Sequence, residues 1–229
     1  MIVLDIETVP LGSEPVFSPA PFDGVKVPAN YKDPEKIRVY ISENKEKQET
    51  EHLSKEREKF EAELTEWKKG ALKAVRSQIV CICALDTVTG SIFRWASNDE
   101  TDLLLKFTDW LYIHGSTGSI FCGHNIRFDL QMLRTHACLS GILEQLKKIL
   151  TFDKWARNIQ DTMEIWAGVH YDDRTKLTGI AQYLGLEVGN GDTTGADIYD
   201  FYKAGRFEEI KTKCLNDVLL TYEVWKRIK

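Results

Sequence analysis

The sequence predicts an α/β fold, a mixed five-stranded sheet flanked by helices, with a charged helical insertion after the first strand. Two observations predict it. Strand-like apolar runs are joined tightly around residue 80 and then alternate with helical periodicity toward the C-terminus, which suits a mixed sheet covered on both faces. The length, 229 residues at 43% hydrophobic, suffices for one sizeable core or for two smaller units, and residues 1–229 read as a single domain with residues 11–73 inserted within it.

Ile2 to Ile6 is apolar on nearly every position, as expected of a central strand in a covered sheet. All six prolines, Pro10, Pro15, Pro19, Pro21, Pro28 and Pro34, precede the first long helix and mark an irregular excursion. From Pro34 to about Val75 the chain is charged and helical. Leu53, Phe60, Leu64, Trp67 and Ala71 share one helix face, which predicts an amphipathic insertion that packs on the domain, or else an arm that binds a partner or guides substrate.

Ser77 to Leu85 forms the second strand, and Asp86-Thr-Val-Thr-Gly90 turns the chain into a third at Ser91 to Trp95. Asp99 to Leu111 is a helix with acidic residues complementing the dipole at its start. Ile120 to Gly123 is a short fourth strand leading through His124 and Asn125 into a helix from about Arg127. A fifth strand lies near Asn158 to Asp161, and the remainder is helical, broken at Gly185 to Asp192.

A formal net charge of −5 argues against a protein that coats nucleic acid through a general basic surface. It leaves open a local site, because an acidic metal pocket itself adds negative charge. No apolar run reaches membrane-span length, and the N-terminus opens on a strand pattern. Five cysteines without paired CxxC spacing fit reduced thiols, so a cytoplasmic location is expected. Cys81 and Cys83 share a strand face and read as buried thiols, with metal or redox chemistry as the alternative.

Four carboxylates carry the chemistry. Asp5 and Glu7, two apart on a strand, leave the same face. Two such charges about 4 Å apart repel by roughly 4 kcal/mol at an effective dielectric near 20, a conflict that Mg²⁺ or Mn²⁺ would remove. The alternative is a strand end hydrated by solvent. Asp129 sits where a strand turns into a helix, a position that serves ligands in open α/β sheets and equally serves the helix dipole. Asn125 is either the N-cap or a substrate contact, and Phe128 either packs or stacks on a base. Asp217 lies at the edge of an apolar helix face, and its value comes from the other three. His124 is placed to line the site or to support it. Gly189-Asn-Gly191 follows no strand and is not a dinucleotide fingerprint.

Asp5-Ile-Glu7-Thr8, Asn125-xx-Phe128-Asp129 and Asp217 resemble the three motifs of the DEDD (DnaQ-like) 3'→5' exonuclease superfamily. The nearest likeness is to exonucleases similar to the proofreading domain of family B DNA polymerases. Ser77 to Ile82, Lys176 to Leu186 and Gly195 to Gly205 extend it over most of the chain outside about Leu11 to Lys73. The resemblance implies an RNase H-like fold and two divalent cations, Mg²⁺ or Mn²⁺. Asp5 would bridge both ions, with Glu7, Asp129 and Asp217 completing the shell and Thr8, Asn125, Phe128 and Lys213 on the substrate side. It also implies 5'-mononucleotide products, a nucleic-acid partner with single-stranded or 3'-end DNA favoured and RNA open, and a possible replication or repair protein partner.

One position departs from the pattern. Where the subgroups carry Tyr four residues, or His five residues, before the last Asp, this chain has Lys213 and Thr212. A protonated lysine donates only, so Lys213 either contacts the scissile phosphate or points away. The departure keeps alive a catalytically weak or inactive nuclease-like binding module, and an unrelated hydrolase of small phosphorylated molecules is a third reading. Lys154, Arg157, Arg174 and Lys176, near Trp155, Trp166 and Tyr171, are either a backbone track with a stacking platform or ordinary surface and core residues.

Overall fold

The computed structural model describes residues 1–153, 156–170, 174–188 and 195–229. Lys154, Trp155, Tyr171 and Gly189-Asn-Gly191 lie outside the described residues. The chain divides into two compact units, Met1–Leu11 with Gly70–Lys229, and Gly12–Lys69.

In the first unit, β1 (Ile2–Pro10), β2 (Ser77–Asp86), β3 (Ile92–Ala96), β4 (Phe121–Gly123) and β5 (Ile159–Asp161) form one mixed sheet in the order β3-β2-β1-β4-β5. β2 runs antiparallel to both β1 and β3, whereas β1, β4 and β5 are parallel. The expected five-stranded mixed sheet with flanking helices is therefore present. β1 continues four residues past the predicted Ile6, because Thr8 to Pro10 keep pairing with β2 after a bulge between Glu7 and Thr8.

The helices in chain order are α1 (Pro34–Lys68), α2 (Glu100–His114), α3 (Ile126–Leu139), α4 (Leu143–Leu146), α5 (Thr162–Ala167), α6 (Leu177–Tyr183), α7 (Ile198–Lys203) and α8 (Phe207–Ile228). Strand alternation sends Ile2, Leu4 and Ile6 to one face, where they join Leu103, Phe107 and Leu111 of α2 and Leu130 and Leu133 of α3. The opposite face of β1, with Val3 and Val9, meets Ile198 of α7 and Ile210, Cys214 and Val218 of α8. Among the described residues, no helix is long and apolar enough to cross a membrane.

In the second unit, α1 starts at Asp33, whose side chain accepts the Glu35 N–H, with Pro34 at the first helical position. None of its residues is buried. The predicted stripe is only half covered, and Leu53 is 46% exposed. Its partners inside the unit come from the proline-rich segment: Phe17 meets Phe60 edge-on, and His52 meets Phe22 and the Ala20 carbonyl. The α-helix ends at Lys68, short of Ala71, with Gly70 just beyond it.

Candidate active site

β4 pairs with β1 only at Ile2 and Val3. Beyond that pairing no strand among the described residues continues along this edge of β1, and the Ile6 N–H donates to Asp129 Oδ1 at 3.2 Å. Asp129 is buried in the first turn of α3, so one carboxylate both closes a strand edge and faces the acids of β1.

The turn that aims α3 is tight. A side chain on Gly123 would run into Ile126 at 2.8 Å, which is why glycine ends β4. Asn125 follows at φ 61°, the one non-glycine residue with positive φ among the described residues. It occupies the N-cap position but makes no side-chain cap bond, and its own N–H donates to Asp161 Oδ1 at 2.8 Å. The side-chain amide is thus not spent on the helix. Asn tolerates the left-handed region better than most residues, and a strained backbone here is what a functional turn carries. Phe128 packs partly buried against the core beneath α2 and α3.

Asp5 and Glu7 leave β1 on the face that meets α8. Lys213 and Asp217 are one turn apart on that helix, beside the buried stripe Ile210, Cys214 and Val218. Lys213 does not point away. Its Nζ lies 2.6 Å from Glu7 Oε1 and 2.8 Å from Asp217 Oδ2, with little of the lysine side chain exposed.

The four acids fall within one electrostatic neighbourhood. Burial pushes the Asp5 carboxyl well up, repulsion from Glu7, Asp129 and Asp217 adds to this, and Lys213 opposes it. Burial likewise pushes Glu7 up to about 7, although Lys213 pulls it down. Burial raises Asp129 while the Ile6 N–H works against it. Burial alone would lower the Lys213 ammonium, but Glu7, Asp5 and Asp217 outweigh it and hold the proton above the ordinary lysine range.

Asp5 Oδ2 is buried and has no hydrogen-bond partner among the described residues. A buried carboxylate oxygen without a partner is costly, and three neighbouring acids make it costlier. Ligand atoms of Asp5 and Glu7 gather within 4.8 Å with Cys214, while Asp129 and Asp217 stand outside that group, and the orphaned Asp5 oxygen is what an oxygen-preferring divalent cation fits.

Thr8 is next to this group, past the bulge, and its hydroxyl donates to the Ala71 carbonyl at 2.7 Å. His124 supports the turn: Nδ1 lies 2.9 Å from Thr162 Oγ1, and burial lowers its basicity. Asp161, which sequence reasoning passed over, holds the Asn125 and Met163 N–H groups and caps α5. An Asp at a strand end directly before a helix was the available signal.

Beside α3 a groove of about 380 Å³ is lined by Asn125, Arg127, Phe128, Gln131 and Arg174 among others. Arg127 is paired with Glu164 across it. On the α8 side a wider cleft of about 680 Å³ includes Thr178, Lys213, Asn216 and Asp217. Of the remaining track residues, Trp166 packs edge-on to Tyr183 in the cluster around Ile180, which makes it a packing aromatic.

Residues 70–229 match the family described as predicted 3'-5' exonucleases related to the exonuclease domain of PolB. The chain belongs to this family. The PolB-related exonuclease match takes in Asn125, Phe128, Asp129, Lys213 and Asp217, and begins after Asp5 and Glu7. No curated protein matches the chain.

Cys81 and Cys83, expected as buried thiols, are buried, and Cys214 joins them. Cys81, Cys83 and Cys214 are fully buried on the carboxylate face of the sheet, their sulfurs within 4.8 Å of one another. Hydrogen bonds with Cys214 and Cys81 pull the Cys83 thiol down, whereas burial pushes Cys214 well up, and Cys83 and Cys214 also donate to the Lys211 and Asp5 carbonyls.

Proposed function

We propose that this chain is a metal-dependent 3'→5' exonuclease of RNase H-like fold that hydrolyses phosphodiester bonds of DNA or RNA. The observation that carries this reading is the unpartnered, buried Asp5 Oδ2 amid Glu7, Asp129 and Asp217. Asp5, Glu7, Asp129 and Asp217 would hold two Mg²⁺ or Mn²⁺ ions, which when bound lower the pKa of an attacking water and neutralise charge at the departing 3' oxygen.

The remaining roles fall to side chains. Lys213 keeps its proton, so it is no general base. It neutralises Glu7 and Asp217 in the ion-free protein and is free to donate to the scissile phosphate when those carboxylates are otherwise engaged. The uncapped amide of Asn125 and the ring of Phe128 border the groove in which the terminal nucleotides would lie, and Arg174 would meet their phosphates.

A 5'-labelled single strand and a 3'-recessed duplex, each with Mn²⁺ and then with EDTA, test the proposal. Stepwise shortening from the 3' end with release of 5'-mononucleotides is expected, abolished by EDTA and by Asp5→Ala. Cleavage that survives either treatment overturns it. Lys213→Tyr is expected to match or exceed wild-type turnover, and a slower variant would contradict the role given to Lys213.

The Lys213 ion pairs also favour a second reading, a nuclease-like module that binds nucleic acid without turnover. Oligonucleotide binding with no cleavage at any Mn²⁺ concentration would select it.

A further inference from the structure

We propose that Cys81, Cys83 and Cys214 form a second cation site, for a soft divalent ion such as Zn²⁺ or Cd²⁺, that shares Cys214 with the carboxylate group. Cys81 and Cys83 are two apart on β2 and leave the same face, and Cys214 reaches them from the buried stripe of α8. The Cys81 and Cys83 sulfurs are 4.0 Å apart, and all three lie within 4.8 Å. Three thiolates at the usual Zn–S distance in a tetrahedral shell stand roughly 3.8 Å apart, so a contraction of under about 1 Å closes the site. Ordinary core packing would place apolar side chains here as readily as three converging sulfurs.

The donor types separate the two ions. Oxygen ligands favour Mg²⁺ and Mn²⁺, whereas thiolates favour Zn²⁺ and Cd²⁺. A three-thiolate shell needs a fourth donor, and ligand atoms of Asp5, Glu7 and Cys214 also fall within 4.8 Å of one another. Cys214 is common to both groups, so a soft ion held by the thiolates lies beside Asp5 and Glu7 and competes with the hard ions for them. Soft-ion occupancy is therefore inhibitory. The inhibition rests on the nuclease reading above, but the binding does not. Because the sulfurs are inaccessible, loading accompanies folding or follows an opening of the α8 face.

The test uses the full chain, reduced, and either equilibrated with Cd²⁺ or refolded in its presence. One bound equivalent with thiolate-to-cadmium charge-transfer absorbance is expected. Cys83→Ser and Cys81→Ser should each lower Cd²⁺ affinity about tenfold or more, with unchanged far-UV circular dichroism. Cys214→Ser is not needed if it fails to fold. In the Mg²⁺-dependent cleavage assay, Zn²⁺ should cut wild-type rates by about tenfold or more and spare Cys83→Ser. Bound Cd²⁺ without that absorbance, equal binding by Cys83→Ser, or no binding by either route overturns the site. Thiolate binding in a protein without nuclease activity upholds the site and sinks the nuclease reading instead.

Discussion

The two faces of β1 divide its work. Ile2, Leu4 and Ile6 meet α2 and α3 in a predominantly apolar layer, whereas Asp5 and Glu7, between Val3 and Val9, meet α8 amid thiols and a lysine. A single strand thus carries stabilising burial on one side and costly burial on the other. The difference teaches that the acidic face is tolerated because the apolar face holds the strand in place.

Substitutions can break or sharpen this contrast. The largest effect is expected from Asp5→Ala, which should reduce metal-dependent cleavage by roughly a thousandfold or more, as several kcal/mol of transition-state stabilisation are lost. Its urea midpoint in the absence of metal should stay level or rise, since an unpartnered buried carboxylate goes with it. A lower midpoint would mean that the acidic face also stabilises the fold.

Leu4→Ala, on the other face, should cost about 3 kcal/mol in urea unfolding and leave Mn²⁺ affinity unchanged. Next comes Lys213→Met. Breaking its pairs with Glu7 and Asp217 should destabilise the ion-free protein by about 2 kcal/mol, and Mn²⁺ should raise its melting temperature more than it raises wild type. Equal Mn²⁺ shifts in the two proteins would show that the lysine does not stand where cations act.

At the turn, Asn125→Ala should be less stable than Asn125→Gly by about 1 kcal/mol, because alanine resists the left-handed backbone. The smallest effect is expected from Leu53→Lys on α1, within about 0.5 kcal/mol, since that position is half exposed. A large loss there would mean that the α1 stripe is true core.

Much of this was legible before the fold. Strand periodicity placed all five strands, and the local settings of Asp5, Glu7, Asp129 and Asp217 marked them as a set. The extension of β1 was not legible, because two acids interrupt its apolar pattern while cross-strand pairing to β2 carries it on. The stripe on α1 looked like a packing face because periodicity reports spacing, not what covers it. Lys213 could be narrowed to two postures but not to its actual one, since a flexible side chain follows local charge.

Alternation of apolar and acidic residues along β1, and helical spacing around Asp217, follow from chain order alone, because side-chain direction repeats with fixed local periods. The convergence of residues 5, 7, 129 and 217 does not. It depends on β4 stopping after three residues, on the strained turn at Asn125, and on α8 packing across β1. Those are long-range contacts, and the same packing gathered three thiols from distant stretches of chain into one cluster.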